Sequence, residues 1–170
     1  HAAVGAGLRT LLLEQRDFAW GTSSRSSKLV HGGLRYLSQG RLGLMWDTVR
    51  ERERLLRQAP GLVGTLEFIV PLYARRPPRR WEMGLALALY DGMAGRRGHR
   101  YYPRQALLAL EPRLGAPGLR GGYRFRDAQT DDARLVLRLI FEAQAAGGCA
   151  LNYTRMAGVE HGPGGRLRAV

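Results

Sequence analysis

The sequence predicts an α/β fold, because short apolar segments alternate along the chain with longer segments of helical periodicity. The first apolar segment, residues 9–14, contains three consecutive leucines and ends at Glu14. A glycine-rich helix end precedes this segment, and residues 21–37 follow it with hydroxyls, cations, a histidine and a glycine pair. These observations predict a strand whose acidic end is followed by a loop that faces a ligand.

Further along the chain, periodicity and turn residues predict the remaining elements in order. Helices are expected over residues 41–58, 81–94, 103–111 and 131–146. Strands are expected over residues 66–72, 121–127 and 150–159, with a last strand that begins near residue 166 after a turn at 162–165. Asp131 and Asp132 open the last helix, where a capping side chain and the helix dipole favour acids, so they are interpreted as bracing residues.

The loop at residues 21–37 is the strongest functional signal in the sequence. Its serines alone would predict an ordinary turn. The string from His31 to Tyr36 that follows them changes this interpretation, because paired glycines let the backbone approach a flat or phosphorylated ligand closely. A dinucleotide-binding unit would also place an acid such as Glu14 at the end of its second strand, to bind a ribose.

Composition limits the other classes of function. The 170 residues carry a formal charge of +13, and arginine supplies 26 of the 27 basic residues. The arginines are spread along the chain, whereas a nucleic-acid binder usually concentrates its cations on one face, so nucleic acid is not the expected partner. Cys149 is the single cysteine and is expected to be a buried strand residue, which excludes an internal disulfide and disfavours a zinc site. No apolar run approaches the roughly 20 residues that span a bilayer.

The two ends of the sequence predict an internal fragment of a longer protein. His1 stands where an initiator methionine would be. The first strand and the glycine-rich turn of a dinucleotide-binding unit would precede this residue, and they are not in the sequence.

The motif at residues 22–37 resembles that of the FAD-dependent glycerol-3-phosphate dehydrogenases, within the glycine/D-amino-acid oxidase-like superfamily. The resemblance extends over nearly the whole chain. Its further matches are the acid-ended leucine strand, Asp17-Phe18, Glu51-Arg52, Ala59-Pro60, Tyr90-Asp91, Tyr123, Asp127 and the run from Asp131 to Val136.

This resemblance implies an incomplete Rossmann-like FAD-binding domain of the glutathione-reductase type, joined to the start of a smaller α+β substrate domain. The expected FAD-binding portion covers residues 1–67 and 127–170. The expected substrate portion covers residues 68–126.

The resemblance also implies roles for individual residues. Glu14 would bind the adenosine ribose, and Met156, in the predicted strand, would contact the adenosine through its backbone. Arg35 would bind the substrate phosphate, with Tyr36 beside it. The pyrophosphate and ribityl contacts implied are Ser23, Ser24, Ser26, Ser27 and Lys28. The residues implied to approach the isoalloxazine ring are Leu29, His31, Gly32 and Gly33.

The implied activity is oxidation of sn-glycerol 3-phosphate to dihydroxyacetone phosphate, with hydride transfer to FAD. Electrons would pass to quinone or to dioxygen, and the catalytic base is expected beyond Val170, so no residue is assigned as catalytic and no metal is expected. The implied location is cytoplasmic, peripheral on the inner face of a bacterial membrane. The apolar helix at 81–94, which has arginines at both ends, would either lie on that surface or be buried in the substrate domain. The alternatives are a related oxidase of an amino acid or hydroxy acid, and a basic nucleic-acid-binding module.

Overall fold

The computed structural model describes residues 1–162 and 167–169, which form two compact units. The first unit contains His1–Lys28 and the chain from Asp131 onward, and the second contains Leu29–Thr130. Both helices and strands are present in each unit, so the predicted α/β class is confirmed.

The elements follow one another in chain order. The helices are α1 (Ala2–Gly5), α2 (Leu42–Gln58), α3 (Arg80–Ala94), α4 (Arg104–Leu110) and α5 (Asp132–Ala145). The strands are β1 (Leu11–Leu13), β2 (Leu29–Val30), β3 (Val63–Tyr73), β4 (Arg100–Pro103), β5 (Leu119–Thr130), β6 (Cys149–Leu151), β7 (Val159–His161) and β8 (Leu167–Ala169). Short 3-10 helices cover Thr22–Ser24 and Leu34–Gln39.

In the first unit, β1 and β6 pair in parallel, with Leu12 opposite Ala150. Parallel strands require a crossover connection, and α5 immediately precedes β6 in the chain. Strands β7 and β8 form a separate antiparallel pair. The carboxyl ends of this parallel pair are a candidate ligand site, because open α/β sheets bind ligands beyond the carboxyl ends of their strands.

In the second unit, β5 is the central strand and pairs antiparallel with β2, β3 and β4. Inward-facing residues alternate along β5, which is why its burial pattern repeats every second residue around Tyr123 and Phe125. Helices α2 and α3 pack together and add Met45, Val49, Leu87 and Tyr90 to the same core. Loop residues 31–33 lie beside this core, directly after β2.

The helices begin and end close to the predicted residues, but the strand predicted over 150–159 is wrong. The chain leaves extended geometry after Leu151, because Tyr153 has a φ of 54° and the amides of Tyr153 and Thr154 bond the carbonyls of Arg16 and Glu14. Strands β3 and β5 are longer than predicted, since each gains pairing partners beyond its apolar centre. Residues 163–165 of the predicted turn lie outside the described part of the chain.

Two other predictions concern the burial of Cys149 and the position of the domain boundary. Cys149 begins β6 but is exposed rather than buried. A sheet of only the two strands β1 and β6 shields few of its side chains from solvent. Strand β3 crosses the expected domain boundary between residues 67 and 68 without interruption. The division into FAD-binding and substrate domains stays a prediction.

Candidate functional site

The predicted site residues are divided between the two units. The first unit holds Glu14, Ser23, Ser24, Ser26, Ser27, Lys28 and Met156, and the second holds Leu29, His31, Gly32, Gly33, Arg35 and Tyr36. Each set is described within its own unit.

Glu14 lies directly after β1, at the carboxyl end of the parallel strand pair. Its backbone is fixed by two hydrogen bonds of 2.9 Å, one donated to the carbonyl of Leu151 and one accepted from the amide of Thr154. One carboxylate oxygen accepts the amide of Arg16 at 2.8 Å. A carboxylate has about four acceptor positions, so this contact leaves capacity for a ribose hydroxyl.

The serines of the motif form a compact turn. The hydroxyl of Ser24, the last residue of the 3-10 helix, lies 2.9 and 3.1 Å from the carbonyls of Trp20 and Gly21 and donates to them. The hydroxyl of Ser26 accepts the amide of Lys28 at 2.9 Å. Ser23 is half-buried, whereas Ser27 is exposed. The turn therefore satisfies part of its own hydrogen-bonding capacity.

The ammonium of Lys28 is paired with acidic side chains at the start of α5. It lies 2.7 Å from an oxygen of Asp132 and 3.6 Å from one of Asp131. Hydrogen bonds from Lys28 and from the hydroxyl of Ser26 hold the pKa of Asp132 below its ordinary value. The same hydrogen bond, which Lys28 donates to Asp132, raises the pKa of Lys28 against a smaller opposing effect of desolvation. A phosphate at Lys28 would therefore have to share this cation with two carboxylates.

The sequence interpretation missed this role of Asp132. The neighbouring Asp131 caps α5 as expected, because its side chain accepts the amide of Arg134 at 3.3 Å. Asp132 instead reaches back across more than a hundred residues of sequence to Ser26 and Lys28. The local sequence pattern cannot predict a contact between residues so far apart in the chain.

The glycine pair of the second unit is buried, and each glycine is required by its neighbours. A Cβ on Gly32 would lie 2.2 Å from the hydroxyl of Tyr90. Gly33 has a φ of 72°, and a Cβ there would lie 2.3 Å from the ring of Tyr36. The structure therefore gives the pair a packing role besides the predicted approach to a planar ring.

Two buried polar side chains accept the amide of Gly32, and a third, that of Arg52, bonds both of them. That amide donates to the hydroxyl of Tyr90 at 3.0 Å and to an oxygen of Asp127 at 3.1 Å. The guanidinium of Arg52 donates to the same oxygen of Asp127 at 3.1 Å and also to the hydroxyl of Tyr90. Arg52 and Tyr90 are 1% exposed and Asp127 is 5% exposed. We call Arg52, Tyr90 and Asp127 the Gly32 clasp.

The clasp perturbs the acidity of its own members. Burial raises the pKa of the Tyr90 phenol well above its ordinary value, and the charge of Asp127 raises it further. The phenol is therefore neutral at physiological pH. All three residues lie within segments that carry the family resemblance, but their side chains are distant in sequence, so nothing in the pattern assigned them to one group.

The remaining predicted residues of the second unit lie near Gly32 in sequence but have exposed or half-buried side chains. His31 and Arg35 are exposed, and the guanidinium of Arg35 lies 5.6 Å from the centre of the Tyr36 ring. Tyr36 is half-buried and packs against the core. Leu29 pairs with Gln129 of β5 and has an exposed side chain.

Met156 lies in the loop between β6 and β7 rather than in a strand, and its side chain is exposed. Its predicted backbone contact stays a prediction. Within residues 1–162 and 167–169, no three acidic, histidine or cysteine side chains are grouped so that they could hold a metal ion. Over the same residues, no helix combines the length and the apolar character needed to cross a membrane.

A family model described as FAD dependent oxidoreductase matches residues 1–170. The chain therefore belongs to the FAD-dependent oxidoreductase family. This membership agrees with the α/β fold.

Individual relatives have narrower names. The chain is 39% identical to a glycerol-3-phosphate dehydrogenase of Synechocystis, over 96% of this chain and 30% of the relative. It is 38% identical to an alpha-glycerophosphate oxidase of Enterococcus casseliflavus, over 98% of this chain and 28% of the relative. The chain thus spans less than a third of the length of these two relatives.

Solved structures of flavin-dependent and related oxidoreductases share the fold of this chain. A glycerol-3-phosphate dehydrogenase from Bacillus halodurans, complexed with FAD, matches 99% of this chain and 28% of its own with a TM-score of 0.68 and 27% identity. A glycine oxidase from Geobacillus kaustophilus matches 93% of this chain and 44% of its own with a TM-score of 0.53 and 19% identity, which is a likeness of fold.

Proposed function

We propose that the intact protein oxidises sn-glycerol 3-phosphate to dihydroxyacetone phosphate with bound FAD. The observation that carries this proposal is that two relatives, each more than a third identical over nearly the whole chain, are named for the same substrate. The likeness to glycine oxidase is one of fold alone, so it does not favour an amino-acid substrate.

The residues of the first unit fit the nucleotide part of FAD. Glu14 has acceptor capacity at the carboxyl end of β1, as a ribose contact needs. Ser23, Ser24, Ser26 and Ser27 offer hydroxyls and amides to the pyrophosphate, and Lys28 offers a cation. Because Lys28 is paired with Asp132, binding of the pyrophosphate would redistribute that charge.

In the second unit, the loop at residues 31–33 would face the isoalloxazine ring. FAD, when bound, supplies the acceptor for a hydride from the substrate carbon. The chain's own contribution is a backbone whose shape is fixed by Gly32 and Gly33 and by the side chains packed on them. Such preorganisation keeps the reacting groups aligned without a cost at the moment of reaction.

Arg35 is proposed to bind the substrate phosphate, beside Tyr36. Its guanidinium is exposed and can donate two parallel hydrogen bonds to one phosphate. We expect Arg35→Lys to lower kcat/KM for glycerol 3-phosphate roughly ten- to hundredfold, because lysine keeps the charge and loses the fork. Arg35→Ala is expected to be worse, with flavin content nearly unchanged.

Steady-state kinetics on flavin-normalised protein measures this effect. The matched control is Arg57→Lys, at an exposed arginine in the last turn of α2, which is expected to keep the parent kinetics. Activity within about twofold of the parent for both Arg35 variants would remove Arg35 from the substrate site. Loss of flavin instead would move Arg35 to the cofactor.

We also propose quinone as the electron acceptor and peripheral contact with the inner face of a bacterial cytoplasmic membrane. Trp81, Leu85 and Leu89 recur every fourth residue on α3 and are all exposed, with Trp81 at 65%. Beside the start of α3 is an open cavity of about 570 Å³, whose basic lining residues are Arg75, Arg76, Arg79, Arg80 and Arg120. An apolar stripe next to cations is suited to an anionic lipid surface.

Sedimentation of the intact protein with phospholipid vesicles tests this contact. We expect binding to anionic vesicles, little binding to phosphatidylcholine vesicles, and at least about a threefold loss of binding for the double variant Leu85→Gln, Leu89→Gln. Leu110→Gln, at an exposed leucine of α4, serves as the control. Protein that stays in the supernatant with anionic vesicles would support the alternative, in which this helix is buried in the substrate domain.

A further inference from the structure

Both polar groups of the Gly32 backbone are held by side chains. The amide is held by Tyr90 of α3 and Asp127 of β5, and the carbonyl accepts the hydroxyl of Thr48 of α2 at 3.0 Å. Three separate elements therefore fix one residue of the loop through the two peptide groups on either side of it. Most backbone groups in loops are hydrogen-bonded to water. Contacts from three elements to the backbone of Gly32 therefore restrict the conformation of this loop.

Stability alone does not account for a clasp of this composition. Burying an arginine, an aspartate and a tyrosine removes them from water, and apolar side chains of similar volume often stabilise a core equally well. Apolar side chains cannot bond an amide, however. The feature that the polar clasp adds is its hold on Gly32.

The charges of the clasp are balanced by a second layer. Glu53 accepts the guanidinium of Arg52 at 2.7 Å and that of Arg96 at 3.0 Å through the same oxygen. With Asp127, the buried guanidinium of Arg52 belongs to a group of two cations and two anions, the other members being Arg96 and Glu53. The charge of Arg52 is thus compensated inside the unit, so it is not left to attract an outside anion.

The position of Tyr90 in the clasp also requires a glycine at residue 32. The hydroxyl of Tyr90 occupies the space in which a Cβ of residue 32 would lie, at 2.2 Å from its position. Any other residue at position 32 would therefore displace the hydroxyl that bonds its own amide.

We propose that Arg52, Tyr90 and Asp127 are positioning residues that set the shape of loop 31–33, and through it the affinity for FAD. This inference rests on the proposed function, because that function places the loop against the isoalloxazine ring. Arg52 orients Asp127 and Tyr90, and these two hold the amide directly. The clasp itself contacts neither substrate nor the reacting atoms.

Tyr90→Phe tests the proposal with the smallest change, since it removes the hydroxyl and keeps the ring. We expect amide hydrogen exchange in a peptide that covers residues 29–37 to be about tenfold faster, with protection elsewhere in the protein unchanged. The dissociation constant for FAD is expected to rise about tenfold. The matched control is Tyr123→Phe, because that buried hydroxyl bonds the carbonyl of Arg80 away from the loop.

A second variant removes the hydrogen bond on the carbonyl side of the same residue, Gly32. Thr48→Val removes the hydroxyl that bonds the Gly32 carbonyl and is expected to reproduce the faster exchange and the weaker FAD binding. It also keeps the test open if Tyr90→Phe fails to fold. Unchanged exchange at residues 29–37 in either folded variant would overturn the proposal, as would faster exchange with unchanged FAD affinity. A parent protein that binds no FAD would instead refute the proposed function, while the exchange measurement would still decide whether the clasp holds the loop.

Discussion

Residues 23–28 and 29–36 are consecutive parts of one motif, yet the ion pairs that accompany them lie in different environments. Lys28, in the first part, pairs with Asp132 through a side chain that is 47% exposed. In the second part, Gly32 is held by a cluster in which the side chain of Arg52 is 1% exposed and that of Asp127 is 7% exposed. The same kind of interaction therefore has different consequences in the two parts.

An exposed pair contributes little to stability and is screened by salt, so it can exchange partners at low cost. A buried pair leaves an uncompensated charge when one partner is removed, and this loss is costly. We therefore expect the Lys28 part to adjust when a phosphate binds. The Gly32 part is expected to have its shape before any ligand arrives.

Asp127→Asn tests the buried part with the largest expected effect. The substitution keeps the size of the side chain and removes the charge opposite Arg52, so we expect a loss of about 3–5 kcal/mol in the free energy of unfolding. Urea titration measures it. Glu67→Gln on β3, which breaks exposed pairs with Arg124 and Arg126, is the control and should change stability by less than about 0.5 kcal/mol. Equal effects of the two variants would remove the distinction between buried and exposed pairs.

Gly32→Ala tests how tightly Tyr90 packs against Gly32. Because the added Cβ would collide with Tyr90, we expect a loss of about 1–3 kcal/mol. Gly43→Ala on α2 has open space at its Cβ and should be neutral or stabilise by up to about 1 kcal/mol. The double variant Gly32→Ala, Tyr90→Phe should lose less than the sum of the single variants, because each disturbs the same contact. Strict additivity would show that the hydroxyl of Tyr90 is not the group that opposes the added Cβ, which also approaches two carbons of the ring at 2.7 Å.

Asp132→Asn probes the exposed part. Removing this carboxylate frees the ammonium of Lys28, so FAD is expected to bind about threefold more tightly at low salt, and the gain should fade at high salt. Equilibrium dialysis of FAD at two salt concentrations measures the change. Weaker binding of FAD by Asp132→Asn would mean that Asp132 supports the site rather than competing for its cation.

The same pair predicts a small dependence of stability on pH. The pKa of Asp132 is lowered, so its contribution is present at neutral pH and is lost as the pH falls through that lowered value. The pKa of Lys28 is raised, so pairing persists as the pH rises until that raised value is passed. The difference in unfolding midpoint between parent and Asp132→Asn should therefore be constant from about pH 5 to pH 9 and shrink progressively below about pH 4, as the pH falls towards the lowered pKa of Asp132. A difference that changes across neutral pH would assign the pairing to another group.

Residue pattern predicted the elements but not the contacts that join distant segments. The helix that became α2 was predicted within one residue, because apolar spacing and the Pro60-Gly61 stop are local signals. The strand predicted through Met156 failed, because the left-handed Tyr153 and its bond to Arg16 depend on a segment far away in the chain. For the same reason Gly32 was assigned a ligand-facing role, while its contacts with Tyr90 and Asp127 went unpredicted.

Anaerobic addition of substrate to the FAD-loaded intact protein tests the central claim most directly. We expect sn-glycerol 3-phosphate to bleach the visible flavin absorbance in the parent, and Arg35→Lys to bleach it more slowly at the same concentration. Glycine and proline should leave the absorbance unchanged. Flavin that stays oxidised with glycerol 3-phosphate, or that is reduced by an amino acid instead, would contradict the proposed function.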